Sequence, residues 1–143
     1  MPKIKKIKAH KIVNSRGEWT VDTEIELDNG LKVQQPVPEG ASKGENEAVY
    51  LPVDKAVAII NNPINDALED EDPTNQVRID SIMIHMDGTS NKAHLGGNSI
   101  LSVSLATARL AAQIKGIELG LVDSTGEKNS LAIKYFRENL FEK

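Results

Sequence analysis

The sequence predicts an α+β fold, a three-stranded antiparallel meander followed by a helical half. Three observations carry that reading. Val21, Thr23, Ile25 and Leu27 alternate with Asp22, Glu24, Glu26 and Asp28 at a period of two. Asn29-Gly30 follows at once as hairpin-turn chemistry. Beyond residue 54 the apolar spacing becomes that of a helix.

Ile4, Ile7, Ile12 and Val13 sit among lysines with no helical stripe, and their β-branched side chains make Ile4 to Val13 an edge strand guarded by positive charge. Asn14-Ser15-Arg16-Gly17-Glu18 is a turn. The alternating segment after it is a half-buried strand. Asn29-Gly30 supplies the positive φ of a two-residue hairpin, which returns the chain along Leu31 to Val37.

Asp54 is placed to cap a helix in which Val57, Ile60, Ile64 and Leu68 share a face. Pro63 removes a backbone donor, so two helical pieces split near Asn62 are expected. After the acidic link Glu69-Asp70-Glu71-Asp72-Pro73, the residues Ile79, Ile82, Met83 and Met86 form a helical stripe that ends at Asp87-Gly88. Gly96-Gly97-Asn98 opens the longest helix, whose apolar residues Ile100, Leu101, Val103, Leu105, Ala108 and Ala112 spread round its circumference. Such a helix is buried on more than one side. Gly116 ends it, because glycine tolerates the left-handed position there. Further on, Asp123 to Lys128 reads as a loop and Ser130 to Phe141 as a short helix with Ile133, Phe136 and Leu140 along one edge. A helix of that length does not persist alone in water, so it docks on its own domain or on a partner.

At 143 residues, 39% hydrophobic and 27% charged, the chain is long enough to bury a core without staples. It has no cysteine, which excludes disulfides, thiolate zinc sites and cysteine nucleophiles. The start, Met1-Pro2-Lys3-Ile4-Lys5-Lys6-Ile7-Lys8, interleaves lysine with isoleucine and does not read as a signal peptide. No apolar run is long enough to span a bilayer. A net charge of −4 and scattered aromatics offer no nucleic-acid footprint. The expectation is a cytoplasmic protein with neither a membrane nor a nucleic-acid partner.

The segment with most chemistry in it is glycine-rich: Pro38-Glu39-Gly40-Ala41-Ser42-Lys43-Gly44-Glu45. It is not a nucleotide P-loop, because Gly40 and Gly44 are too close and no Gly-Lys-Ser/Thr follows. Ser42 has no nearby sequence cue for a general base. Glu69 to Asp72 reads either as a cation site or as a solvated link, and the link is favoured. His10, His85 and His94 lack the i, i+4 spacing that puts two imidazoles on one metal. Gly96-Gly97-Asn98 reads either as an anion site at a helix start or as close packing, and packing is favoured.

Taken in order, Asn14-Ser15-Arg16-Gly17 with Thr20-Val21, the glycine-rich segment, Lys55-Ala56-Val57 through Pro63-Ile64, Asp87-Gly88-Thr89 with Asn91-Lys92, and Leu95-Gly96-Gly97-Asn98 resemble the N-terminal domain of the enolase family. Residues 1–119 are read as that domain and 120–143 as a divergent loop and helix docked on it. The resemblance implies an enolase N-terminal domain-like fold and a link to interconversion of 2-phosphoglycerate and phosphoenolpyruvate. That chemistry takes a proton next to a carboxylate, so it needs a base and Mg²⁺ to stabilise the ene-diolate. In the family, the base and the metal carboxylates lie in a barrel of ~250 residues. The 143 residues here hold no such barrel, so the chain alone is expected to be inactive.

By the same resemblance, Gly40, Ala41, Ser42 and Lys43 form a loop that closes over substrate, with Ser42 on the second Mg²⁺ once a barrel is present. Small residues suit a backbone that must approach an anion and withdraw. Two neighbours depart from the family pattern. Glu39 replaces a serine and either binds a cation or repels substrate, and Lys43 replaces a threonine and either attracts phosphate or stays solvated. The partner implied is a separately encoded enolase barrel or a second copy in a homo-oligomer, although His10 falls where an interface arginine is common. The alternative is a noncatalytic binding or oligomerisation module derived from enolase.

Overall fold

A computed structural model describes residues 2–37 and 48–116. They form an antiparallel sheet in the order β1 (Ile4–Val13), β2 (Trp19–Leu27), β3 (Lys32–Pro36), followed by helices. The fold is α+β, as the pattern required. One sheet face is apolar, where the aligned residues Ile7, Ile25 and Val33 and the neighbouring Ala9, Thr23 and Val21 are all buried. The other carries cross-strand pairs of opposite charge: Lys8 Nζ to Glu24 Oε2 at 3.2 Å and His10 Nε2 to Asp22 Oδ2 at 3.1 Å. Burial pushes the Asp22 carboxyl up, His10 opposes that, and Glu24 adds to it.

Ile4 and Ile7 are both buried although three residues apart, which a regular strand forbids. A register shift between Ile4 and Lys6 resolves it, resetting the pleat so that both point to the core. Both hairpins use the same device. Asn14 N–H donates to Glu18 O and Gly17 N–H to Asn14 O; likewise Leu27 N–H donates to Leu31 O and Gly30 N–H to Leu27 O. Each is a three-residue loop ending on a glycine of positive φ, +75° at Gly17 and +91° at Gly30. The two-residue hairpin expected at Asn29-Gly30 is therefore corrected. Asn29 Oδ1 accepts Leu31 N–H at 3.0 Å and Asn29 stays out of the left-handed region, which leaves only glycine to enter it.

The helical half starts with α1 (Val53–Ile59), a π segment (Ile60–Ile64) and α2 (Asn65–Leu68). Asp54 is not the cap. Pro52 holds that position, and Asp54 sits in the first turn, 3.4 Å from Lys11 Nζ. Pro63 yields two α-helical pieces as expected, yet the path between them stays helical. The wider π turn absorbs the missing donor without a break. This segment also closes the open side of β1. Ala9 N–H donates to Asn61 Oδ1 at 2.7 Å, Asn61 Nδ2 returns a bond to Ala9 O at 3.1 Å, and Ile7 N–H donates to Asn65 Oδ1 at 2.7 Å. Two carboxamides one helical turn apart thus stand in for a fourth strand. They satisfy an edge that the sequence analysis assigned to lysines alone.

Two acids of the link are spent internally, Glu71 in a bidentate pair with Arg78 and Asp72 through an Oδ1 that accepts from Thr74, while Glu69 and Asp70 are exposed. Helix α3 (Gln76–Asp87) buries Ile79 and Met83, and ends at Gly88 with φ +68°. Helix α4 (Gly97–Lys115) ends at Gly116 with φ +69°, and every residue from Gly97 to Thr107 is buried. Its hydroxyls tie the layers together: Ser102 Oγ bonds Thr23 Oγ1 at 2.6 Å and Gln35 O at 3.0 Å, while Gln76 Nε2 reaches Ser104 Oγ at 2.9 Å.

One hydroxyl does not fit this scheme. Ser99 is 0% exposed and its Oγ finds no hydrogen-bond partner among the described residues. Ser99→Ala removes a desolvated polar atom and is expected to raise stability by about 1 kcal/mol. Urea unfolding reads this as a higher midpoint with an unchanged slope, and a lower midpoint would mean the hydroxyl is engaged.

Candidate functional site

The residues singled out for substrate and metal contact, Gly40, Ala41, Ser42 and Lys43, lie outside the described residues, as do Glu39 and the helix proposed at 130–141. The structure does describe the chain on both sides of the glycine-rich segment. Upstream, Val37 is buried and its N–H donates to Val21 O at 2.9 Å, which fixes that end to β2. A groove of roughly 370 Å³, lined by Ile12, Asn14, Ser15, Arg16, Thr20, Pro36 and Val37, runs beside it.

Downstream, residues 49–51 are held by the turn that opens α4. Val49 N–H donates to Asn91 O at 2.9 Å, and Gly97 N–H donates to Val49 O at 2.7 Å. Asn98 then clamps Leu51 from both sides, accepting its N–H at 3.1 Å and donating to its carbonyl at 2.9 Å. The glycines are there for space. A Cβ on Gly97 would stand 2.8 Å from Ala48 Cβ, and one on Gly96, where φ is +92°, would stand 2.8 Å from Leu51 Cγ. Close packing therefore explains Gly96-Gly97-Asn98, with the first amide of the helix spent on Val49.

Beneath this turn lies a polar knot. Asp87 is 4% exposed; its Oδ1 accepts Leu95 N–H at 2.7 Å, and its Oδ2 accepts both the backbone N–H of Thr89, at 2.9 Å, and the Thr89 hydroxyl. Burial alone would push the Asp87 carboxyl up. Hydrogen bonds from the Thr89 hydroxyl and from the N–H groups of Leu95, Thr89 and His94 outweigh burial and hold it below the ordinary carboxylate value. Lys92, 7% exposed with φ +61°, feels the converse: burial pushes its ammonium down and Asp87 works against that. Lys92 O also accepts Gly96 N–H at 2.8 Å, so the knot and the turn are one unit.

A lowered folded-state pKa stabilises the fold above the unfolded value and loses that contribution as pH falls through the folded one. The Asp87 contribution is thus present at neutral pH, begins to fade near the unfolded value of about 4, and is lost as pH falls through the lower folded-state value. Asp87→Asn should be less stable than the parent at neutral pH, with the gap narrowing as acid is added, read by chemical unfolding across pH. A gap that stays constant would show that the Asp87 charge contributes nothing.

Among the described residues no group of three or more His, Asp or Glu converges to hold a metal ion. His10 lies on β1, His85 on α3 and His94 in the turn before α4. No helix among these residues is long and apolar enough to cross a membrane. In sequence, Asp87-Gly88 marked a helix end, and Thr89 and Asn91-Lys92 carried only the resemblance. Their buried carboxylate and buried lysine are the signal that reading missed.

The fold and this platform define a two-layer domain in which Val37 is held to the sheet and residues 49–51 to the helical layer. Residues 4–121 match the family model described as the N-terminal domain of enolase. A relative named enolase, from Sulfurisphaera tokodaii, is 43% identical over 122 residues, covering 82% of this chain and 29% of that protein. The chain belongs to the enolase N-terminal domain family. It spans 29% of the length of that relative.

Proposed function

We propose that these residues form the capping domain of an enolase-type dehydratase, in which the loop of Gly40, Ala41, Ser42 and Lys43 closes over 2-phosphoglycerate or phosphoenolpyruvate held by a barrel outside the 143 residues. The observation that carries this reading is that Val37 and residues 49–51, on either side of the glycine-rich segment, are held by hydrogen bonds within a domain of this family. In this reading Gly40 and Ala41 give the backbone room to approach an anion, and Lys43 faces the phosphate. Ser42 turns its hydroxyl and carbonyl oxygens to the second Mg²⁺.

The metal supplies charge stabilisation to the ene-diolate when bound. The described residues do not make a site for it by themselves, and the carboxylates it requires belong to the barrel in this reading. Residues 1–119 act as the cap, and 120–143 dock on it as a divergent extension. The partner is the barrel, in the same polypeptide or supplied separately, with homo-oligomers assembled through the same domain, in the cytoplasm.

The test is reconstitution. This chain alone with Mg²⁺ should give no dehydration of 2-phosphoglycerate, and mixing it with an enolase barrel fragment should raise turnover above that of the barrel alone. Turnover by the purified chain, or no increment on mixing, would count against the reading. In the second case a specific oligomer or copurifying protein would favour a noncatalytic module.

A further inference from the structure

Asn29 and Gly30 are exposed at the turn between β2 and β3, and no heavy atom lies within 4 Å of where a Gly30 Cβ would stand. Leu31 N–H, donating to Asn29 Oδ1 at 3.0 Å, draws electron density from the carboxamide carbon. We propose that Asn29 is a site of spontaneous, non-enzymatic conversion to aspartate and isoaspartate through a cyclic imide with Gly30. This inference stands apart from the enolase reading.

The chemistry balances with water as the only co-reactant. The Gly30 backbone nitrogen gives its proton to solvent base and attacks Asn29 Cγ. The N–Cγ bond forms, the Cγ–Nδ2 bond breaks, and Nδ2 leaves as ammonia with a proton from solvent. Water then opens the imide at Cγ to give aspartate, or at the main-chain carbonyl to give isoaspartate.

The turn sets the pace. Gly30 N–H donates to Leu27 O at 3.0 Å, and that bond must open before the nitrogen can attack. It lies at an exposed loop tip, where opening costs least. Several asparagines among the described residues are worse placed. Asn14 is followed by Ser15, whose side chain crowds the attacking nitrogen, while Asn62 precedes Pro63, whose nitrogen carries no proton. Asn61, Asn65 and Asn98 lie within helical segments, whose backbone is held in place. Conversion matters to the fold because it adds charge beside Asp28, whose Oδ1 accepts Lys3 N–H at 3.1 Å. Isoaspartate also lengthens the main chain of a loop whose three residues set the β2–β3 register.

The intact chain is to be incubated at mildly alkaline pH beside a urea-unfolded sample, then digested and read by mass spectrometry and by methyl labelling with an isoaspartyl methyltransferase. The Asn29 peptide should gain the amide-to-acid mass before any other asparagine peptide in the folded sample, and it should carry the methyl label. Both signals should be lost in Asn29→Gln. The proposal is overturned if the Asn29 peptide converts no faster than those holding Asn14 or Asn62. It is equally overturned if the folded sample stays intact while the unfolded one converts.

Discussion

Asn61→Leu is expected to destabilise the chain by about 2–4 kcal/mol, because it strands both backbone groups of Ala9 on the far side of β1 at once. Leucine approximates the volume but offers neither donor nor acceptor, and Ala9 is too buried for water to substitute freely. The effect should exceed that of Asn62→Leu next door, since Asn62 is exposed and its Nδ2 only bonds Ala58 O within the same helix. Urea unfolding of the two variants side by side makes the comparison. Equal losses would mean that the carboxamide is not acting as a strand surrogate. The variant also bares a strand edge, so concentration-dependent association should accompany the loss.

Gly96→Ala should cost a comparable 2–4 kcal/mol, roughly divided between the left-handed backbone and the clash. The backbone at Gly96 has φ +92°, which an L side chain resists, and the added methyl would meet Leu51 and Asn98 at 2.8 Å. Relief requires Leu51 to move, and Leu51 is the residue that the Asn98 carboxamide clamps. Amide hydrogen exchange at residues 49–51 should therefore accelerate more than exchange in the sheet. Gly30→Ala, with a similar φ of +91° but open space around it, isolates the backbone share. If the two alanine variants lose the same stability, packing against Leu51 has no role.

The meander was legible because period-two alternation leaves a half-buried strand few alternatives, and both helix ends at Gly88 and Gly116 were legible because the left-handed position favours glycine. The errors have physical causes too. Asn29-Gly30 announces positive φ without saying how many residues share it, and only Gly30 takes it. A carboxylate near a helix start is favourable in the first turn as well as at the cap, which is how Asp54 was misplaced. Asn61 and Asn65 look in sequence like a solvated helical face, since nothing local reveals that a strand edge lies opposite. The same holds for Asp87, whose burial depends on donors from residues 89 to 95 that only the folded turn brings round it. The family assignment was legible from motif order alone, while the roles given to residues 39–43 lie outside the described residues.

Nineteen residues of helix, as in α4, measure about 28 Å, close to the hydrocarbon thickness of a bilayer. A segment enclosed by protein from Gly97 to Thr107 would ordinarily be greasy enough for the insertion machinery to take it for a spanning segment during synthesis. Here Ser99, Ser102, Ser104 and Thr107 dilute it, and Arg109 adds a charge, so no helix among the described residues is long and apolar enough to cross a membrane. The hydroxyls that stitch the finished layers together also hold the hydropathy of this helix below that of a spanning segment.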